Sequence, residues 1–266
     1  MTAHHDAAAA AFLPFSDNSM ARRVHREGVL ILGGGRALLM QIAHPMVARG
    51  VAEHSNFRAH RIDRLLRTLR PTLAIIFGNR DEALAAAASI SRVHDRVSGA
   101  GYAAKDPDLL LWVFATLVDT TVMMHERFVR PLSPPEQAVY YEDIRRVASL
   151  LDIPEGVMPE SIAALRTYVI QMCETLSVTS EARDIAEALF RSNAFAWPVM
   201  GSTRLLTAGL LPERLREQFG LEWGGRREGA LAAIGRASRA VVPRLPPGLR
   251  APPWFLMPGS QRMGSG

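Results

Sequence analysis

His94 is the residue whose type and setting point most directly to chemistry. On the helix expected from Asp81 to Ser98, Ala83, Ala87, Ile90, His94 and Val97 fall along one stripe, at spacings of four, three, four and three. His94 is the stripe's polar member. One reading is a core histidine satisfied by a backbone carbonyl, the usual state of a lone buried histidine. The other is a ligand. Ala83 and Ala87 leave a shallow face on which a flat group can lie, and a neutral imidazole projecting from such a face can be an axial ligand to haem iron. A second set is Arg64, Arg67 and Thr68, which share one helix face at i, i+3 and i+4, with Asp63 beside them. On spacing alone, a solvated face with an ordinary salt bridge accounts for them. A third is His44 and His54, with Gln41, Glu53 and Ser55 nearby among apolar neighbours. Here a polar network around groups freed by Pro45 competes with a metal site that lacks a third ligand.

Other chemistries fail on spacing. Gly28 to Gly35 leads an apolar run into glycines and then a helix, but the third glycine of a dinucleotide fingerprint would fall at Leu38. A phosphate-binding loop needs Gly-Lys-Ser/Thr, which is missing. There is no His-Glu-x-x-His, and no glutamate lies three residues before a histidine, which argues against a di-iron carboxylate bundle. One cysteine, Cys173, excludes a cysteine zinc cluster and an intramolecular disulfide, and fits a reducing compartment. Without Cys-x-x-Cys-His, covalent haem attachment has no support.

The elements that must position these residues read as helices. The chain has 266 residues, 48% hydrophobic and 21% charged, rich in alanine and with four Trp and four Tyr. That balance favours helix over sheet. Helices are expected at Ala21–Leu32, Arg36–Arg49 with Pro45 inside, Ile62–Leu69, Asp81–Ser98, Asp106–Arg127, Ser133–Leu151, Pro159–Leu176, Ser180–Arg191, Pro212–Gly220 and Arg226–Val242. Gly33-Gly34-Gly35 reads as a turn between two of them. The expectation is an all-α fold, a single helical domain over residues 21–255 with a buried cofactor pocket between helices. Residues 1–20 are read as a flexible arm, the stretch after Pro243 as a surface strap, and 256–266 as a tail. The net charge of +5 comes almost wholly from arginine, Lys105 being the one lysine, and basic residues interleave with acids in segments such as Glu181 to Arg191. No nucleic-acid stripe or motif stands out, although attraction to anionic surfaces is compatible with the charge. The N-terminus carries no signal-peptide pattern. Leu109 to Met124, the longest apolar stretch, is interrupted by Asp119 and is read as too short for a membrane span. The expected location is the cytoplasm.

An ordered series of short motifs adds a further layer. Gly33-Gly-Gly-Arg-Ala-Leu-Leu-Met-Gln-Ile-Ala-His44-Pro45 is followed by Gly50-Val-Ala-Glu-His54-Ser55-x-Phe57, Arg64-Leu-x-x-Thr68 and Phe77-Gly78. Then come Val93-His94-x-x-Val97-x-Gly99, Asp106-Pro-x-Leu-Leu-Leu-Trp112-Val, Pro131-Leu-Ser-x-x-Glu136, Thr207-x-Gly209-Leu-Leu-Pro212 and Leu245-Pro-x-x-Leu249-Arg. Together, over roughly residues 22 to 255, these resemble the MpaB and rubber-oxygenase (latex-clearing protein) family. The resemblance implies an all-helical oxygenase domain with non-covalent haem b. It implies His94 as the proximal iron ligand, with Arg64 and Thr68 toward the opposite face, where dioxygen is used. Arg67 stands where rubber-cleaving members have lysine, and Phe114 where many relatives have histidine, two residues after Trp112. His44, His54 and Glu53 are candidates for proton delivery or for holding a haem propionate. Arg67 and Trp112 complete the expected haem surroundings.

The function this implies is a haem b-dependent oxygenase acting on an apolar organic substrate, using dioxygen and a redox partner that the sequence does not name. Two other classes stay open. One is a non-catalytic haem sensor or carrier, and the other is a helical scaffold that has lost its cofactor. Fold alone does not choose among them.

Overall fold

Several helix starts are set by side chains that satisfy the free amides of a first turn. In the computed structural model, which describes residues 8–54, 70–190 and 197–251, Asn79 caps one helix reciprocally with Glu82. The Asn79 side chain accepts from the Glu82 amide at 3.0 Å, and Glu82 accepts from the Asn79 amide at 2.9 Å. Ser133 and Glu136 form the same box, with Pro134 in the first turn. Asp106 caps the longest described helix, with Pro107 as its first residue.

The numbered helices are α1 (Met20–His25), α2 (Gly34–Ala43), α3 (Pro45–His54), α4 (Arg80–His94), α5 (Pro107–Phe128), α6 (Pro134–Leu150), α7 (Ile162–Thr175), α8 (Ser180–Phe190), α9 (Trp197–Leu210), α10 (Glu213–Gln218), α11 (Gly225–Val241) and α12 (Pro247–Arg250), and residues 8–11 and 70–77 are helical as well. A 3-10 segment, Gly28–Gly33, runs directly into α2. Among the described residues the only strands are β1 (Ser98–Gly99) and β2 (Tyr102–Ala103), an antiparallel pair with Ser98 opposite Ala103. The fold is all-α, as expected.

α5 is the central element. It packs against α1, α2, α7, α11 and the 3-10 segment, and its Trp112, Ala115, Thr116, Val122 and Met124 are fully enclosed. α8 and α9 close over α2 and α3 from the other side. By length and composition α5 is a candidate membrane span, contrary to the sequence reading, because its helix extends over 22 residues. In this structure 56% of its apolar window is buried inside the protein. Its Asp119 pairs with Arg36 of α2, Nη2 to Oδ2 at 2.7 Å.

Glycines permit the close crossing of α2 over α5 and α9. A Cβ at Gly33 would lie 2.8 Å from Met124 Cγ and from Thr120 Cγ2, and one at Gly35 would lie 2.1 Å from Thr207 Oγ1. The glycine run is therefore a packing device at a continuous 3-10-to-α passage, rather than a free turn between two helices.

Four local expectations are corrected. The helix expected over Ala21–Leu32 stops at His25, and the 3-10 segment replaces its second half. Pro45 does not sit within one bent helix. His44 takes extended backbone angles (φ −76°, ψ 122°), Pro45 opens α3, and the two limbs bend by 107°. Proline's missing N–H and its clash with the preceding residue's helical conformation explain the break. α4 ends at His94, four residues early, because the chain turns into the hairpin, where Gly101 takes φ +82°. Residues 12–20 are not a free arm. Phe12 and Phe15 are buried, edge to face at 5.9 Å, beneath the Arg146 guanidinium. Two aromatic rings gain more from burial than the segment loses in chain freedom.

Beyond α11, a 3-10 turn (Val242–Arg244) leads to α12, where Arg250 forms an ion pair with buried Glu27. This part of the chain lies as a strap across the start of the 3-10 segment, with Gly28 against the Arg250 carbonyl.

Candidate functional site

His94 is the last residue of α4 and is half-buried. Among the described residues neither ring nitrogen takes a hydrogen bond, so the carbonyl-satisfied core histidine is not what this structure contains. Burial pushes its pKa down, and Lys105 adds to the shift, while Asp152 and Asp95 oppose it. The imidazole is neutral near pH 7 and keeps a lone pair for a ligand. The stripe behind it is divided. Ala83 and Ala87 are 0% and 1% exposed, within the packed core, whereas Ile90, His94 and Val97 are half-buried. The shallow face read from the alanines is filled by protein, and the accessible part of the stripe is its His94 end.

A small ionic group fixes that end. Lys105 Nζ lies 2.6 Å from Asp95 Oδ1 and 3.9 Å from Asp152 Oδ2, and Ser91 Oγ donates to Asp152 at 2.9 Å. Asp152 occupies the left-handed region (φ 62°), which aspartate tolerates better than most residues. The sequence offered one signal for this group: Lys105 is the lone lysine of an arginine-dominated chain.

The hairpin that follows His94 collects the histidine and glutamate of α3. The exposed His54 joins Ser98 O through Nε2 at 3.1 Å, and Tyr102 donates to Glu53 Oε2 at 2.6 Å. Burial and the Glu53 carboxylate push the Tyr102 phenol up to about 12. Gly50 and Gly99 make room for the Tyr102 ring. Glu53 and His54 thus lock α3 to the loop after His94.

His44 sits at the elbow between α2 and α3. It is half-buried, and burial lowers its pKa against the opposing Asp106 and Asp108. Its Nδ1 accepts from the Met46 amide at 3.3 Å, so the neutral ring carries its proton on Nε2 and presents a donor. Trp112 is wholly buried, donates Nε1–H to the Gln41 carbonyl at 3.2 Å and meets Tyr168 edge-on. It is a packing residue between α2 and α5, and Phe114 near it is buried as well. Arg64, Arg67 and Thr68, with Asp63 and the helix expected over Ile62–Leu69, lie outside the described residues.

Sequence reasoning missed a second polar group. His25 Nε2 meets Tyr140 OH at 3.2 Å, and His125 Nδ1 meets Arg130 O at 3.0 Å. Burial lowers both histidines to about 4, with His125 also acting on His25. Arg130 grips Glu136 at 2.6 and 2.9 Å. His25 and Tyr140 lie 115 residues apart, and no spacing rule joins them.

Among the described residues no three His, Cys, Asp or Glu side chains converge as a metal cage. What they offer is one neutral, unbonded imidazole. That donor set suits an axial position on a metal whose other ligands come from its own macrocycle.

Comparison with known proteins bears on this geometry. The family model described as "ER-bound oxygenase mpaB/B'/Rubber oxygenase, catalytic domain" matches residues 21–240. Uncharacterized proteins of Mycobacterium bovis and Mycobacterium tuberculosis are each 28% identical over 223 residues, covering 77% of this chain and 87% of theirs. No solved structure matches. With the family model spanning most of an all-helical chain, the protein belongs to the mpaB and rubber oxygenase catalytic-domain family.

Proposed function

We propose that this protein is a haem b-dependent oxygenase that oxidises an apolar organic substrate, with His94 as the proximal ligand. The observation that carries the proposal is His94 itself, a half-buried, neutral imidazole with both ring nitrogens free among the described residues, in a chain whose family is one of oxygenases. When bound, haem iron supplies the activation of dioxygen.

The chain's own residues supply orientation and protons. The Lys105–Asp95–Asp152 group and the hairpin locked by Glu53 and His54 hold the His94 end of α4 in place. His44, with its proton on Nε2, is a donor for a propionate or for proton delivery. Arg64 and Thr68, which stand in the motif that resembles the family's, would stabilise negative charge and orient a proton during the use of dioxygen. Arg67 replaces the lysine of rubber-cleaving members. Its guanidinium stays protonated and has no lone pair to give a metal, so it serves as a charge and not as a ligand. The lone Cys173 is buried, with its thiol pushed up to about 11 by desolvation, so it stays protonated and unreactive near neutral pH. A chain with one cysteine is compatible with a reducing compartment such as the cytoplasm.

The test is purification followed by absorption spectroscopy and oxygen uptake in the reduced state, with and without apolar alkenes. The proposal expects a haem b spectrum and substrate-dependent uptake. Haem without uptake would indicate a carrier or sensor. Protein that neither retains nor takes up haem would overturn the cofactor assignment.

A further inference from the structure

The charge of this chain is unevenly distributed. From residue 225 onward there are seven arginines and one acid, Glu228, while the preceding 224 residues carry 24 basic and 25 acidic side chains. The C-terminal part therefore departs from the interleaving seen elsewhere, and it holds the entire cationic excess.

The fold places two of these arginines, Arg226 and Arg236, on one outward side of α11. α11 is fixed to α5 along one side, where Leu231 is buried, Gly235 faces the Arg127 carbonyl and Ser238 Oγ donates to Phe128 O at 2.6 Å. The opposite side, with Arg226, Ala230, Ala233, Ile234, Arg236, Ala237 and Val241, is exposed. Arg226 and Arg236 make no ion pair or hydrogen bond among the described residues. Ile234 and Val241 are 42% and 53% exposed, one heptad apart, and Leu249 in α12 is 69% exposed. Arg244 lies between them in the chain.

We infer that this face of α11 is a docking surface for an anionic lipid bilayer. Cations without carboxylate partners complement lipid phosphates, and the small residues between them let the helix lie close to a surface. The exposed Ile234 and Val241 decide between polyanions. They gain by entering the acyl boundary of a bilayer, whereas a nucleic-acid backbone gives aliphatic side chains nothing comparable to contact.

The experiment uses the full-length protein, sedimented with vesicles of phosphatidylcholine alone or mixed with phosphatidylglycerol. Binding to the mixed vesicles only, weakening as salt rises from about 0.1 M to 1 M, is expected. Each arginine near an anionic surface contributes about a fivefold gain in partition, so Arg226→Gln with Arg236→Gln should weaken binding about 25-fold. Ile234→Ser with Val241→Ser should weaken binding to the same vesicles while keeping its salt dependence. All four side chains are exposed, so the variants should keep the wild-type circular dichroism and melting. Equal binding to both vesicle types, binding to neither, or unchanged binding of the double arginine variant would overturn the inference. So would vesicle binding indifferent to the Ile234 and Val241 changes, together with tighter binding to a DNA duplex, which would identify a nucleic-acid surface instead.

Discussion

Asp119→Ala should destabilise the fold sharply, because it strands a buried guanidinium. Arg36 donates to Leu210 O at 2.7 Å, to Thr120 Oγ1 at 2.6 Å and to Asp119 Oδ2 at 2.7 Å, and the Arg36 and Asp119 side chains are 7% and 13% exposed. Removing one partner of such a pair costs roughly 3–5 kcal/mol, since the remaining charge is neither hydrated nor compensated. The two hydrogen bonds that survive place this case at the lower end, about 3 kcal/mol. For a domain of this size each kcal/mol lowers the Tm by roughly 2–4 °C, so a drop of about 6–12 °C is expected. Urea unfolding followed by circular dichroism measures the loss. Arg36→Met combined with Asp119→Leu should recover most of it, because a packed apolar pair has no charge to desolvate. A loss under about 0.5 kcal/mol for Asp119→Ala, in the range of an exposed pair, would refute the reasoning. So would a double variant no more stable than the single one.

The pH dependence of stability should carry the signature of His125, which titrates near 6.5 in the unfolded chain and is lowered to about 4 in the fold. The unfolded state then binds more protons between those values. Stability should fall by about 3 kcal/mol from this group as pH drops from about 6.5 to 4 and level off below. His25, lowered to the same value, adds a similar contribution, so His125→Asn should roughly halve the slope of that limb in urea titrations, and parallel profiles would remove His125 as a cause. Gly35→Ala drives a Cβ to 2.1 Å from Thr207 Oγ1 and should cost about 3 kcal/mol, relieved when Thr207→Ala is added. Thr207→Val alone removes a buried hydroxyl with no partner and should raise stability by about 1 kcal/mol, read as a higher Tm. Tyr102→Phe loses the bond to Glu53 and should speed hydrogen exchange at the Ala104 amide, which bonds Val97 O at 2.8 Å.

Local rules made much of the fold legible, because caps and prolines act over three or four residues. The Ser133–Glu136 box, Pro107 after Asp106 and the acids opening α4 all appear where such rules put them. Those rules failed where tertiary contacts decide. Pro45 could bend one helix or begin another, and only the packing of α2 and α3 against α8 selects the second. The glycine run has no dinucleotide function, but its purpose, close approach to Met124, Thr120 and Thr207, involves residues far along the chain. At the site, the half-buried His94 was readable from one stripe. The Lys105–Asp95–Asp152 group, the tie from Glu53 to Tyr102 and the His25–Tyr140 contact required the fold, since each joins side chains from separate elements.

The most direct test of the central claim is the absorption spectrum of His94→Gly beside wild type, each reconstituted with haem b and then supplied with imidazole. If His94 is the proximal ligand, wild type shows a histidine-ligated haem. The variant then loses that signature and most of its haem while keeping its helical circular dichroism, and free imidazole restores the spectrum by filling the vacated position. A variant that holds haem with an unchanged axial-ligand spectrum, and does not respond to imidazole, would contradict the account.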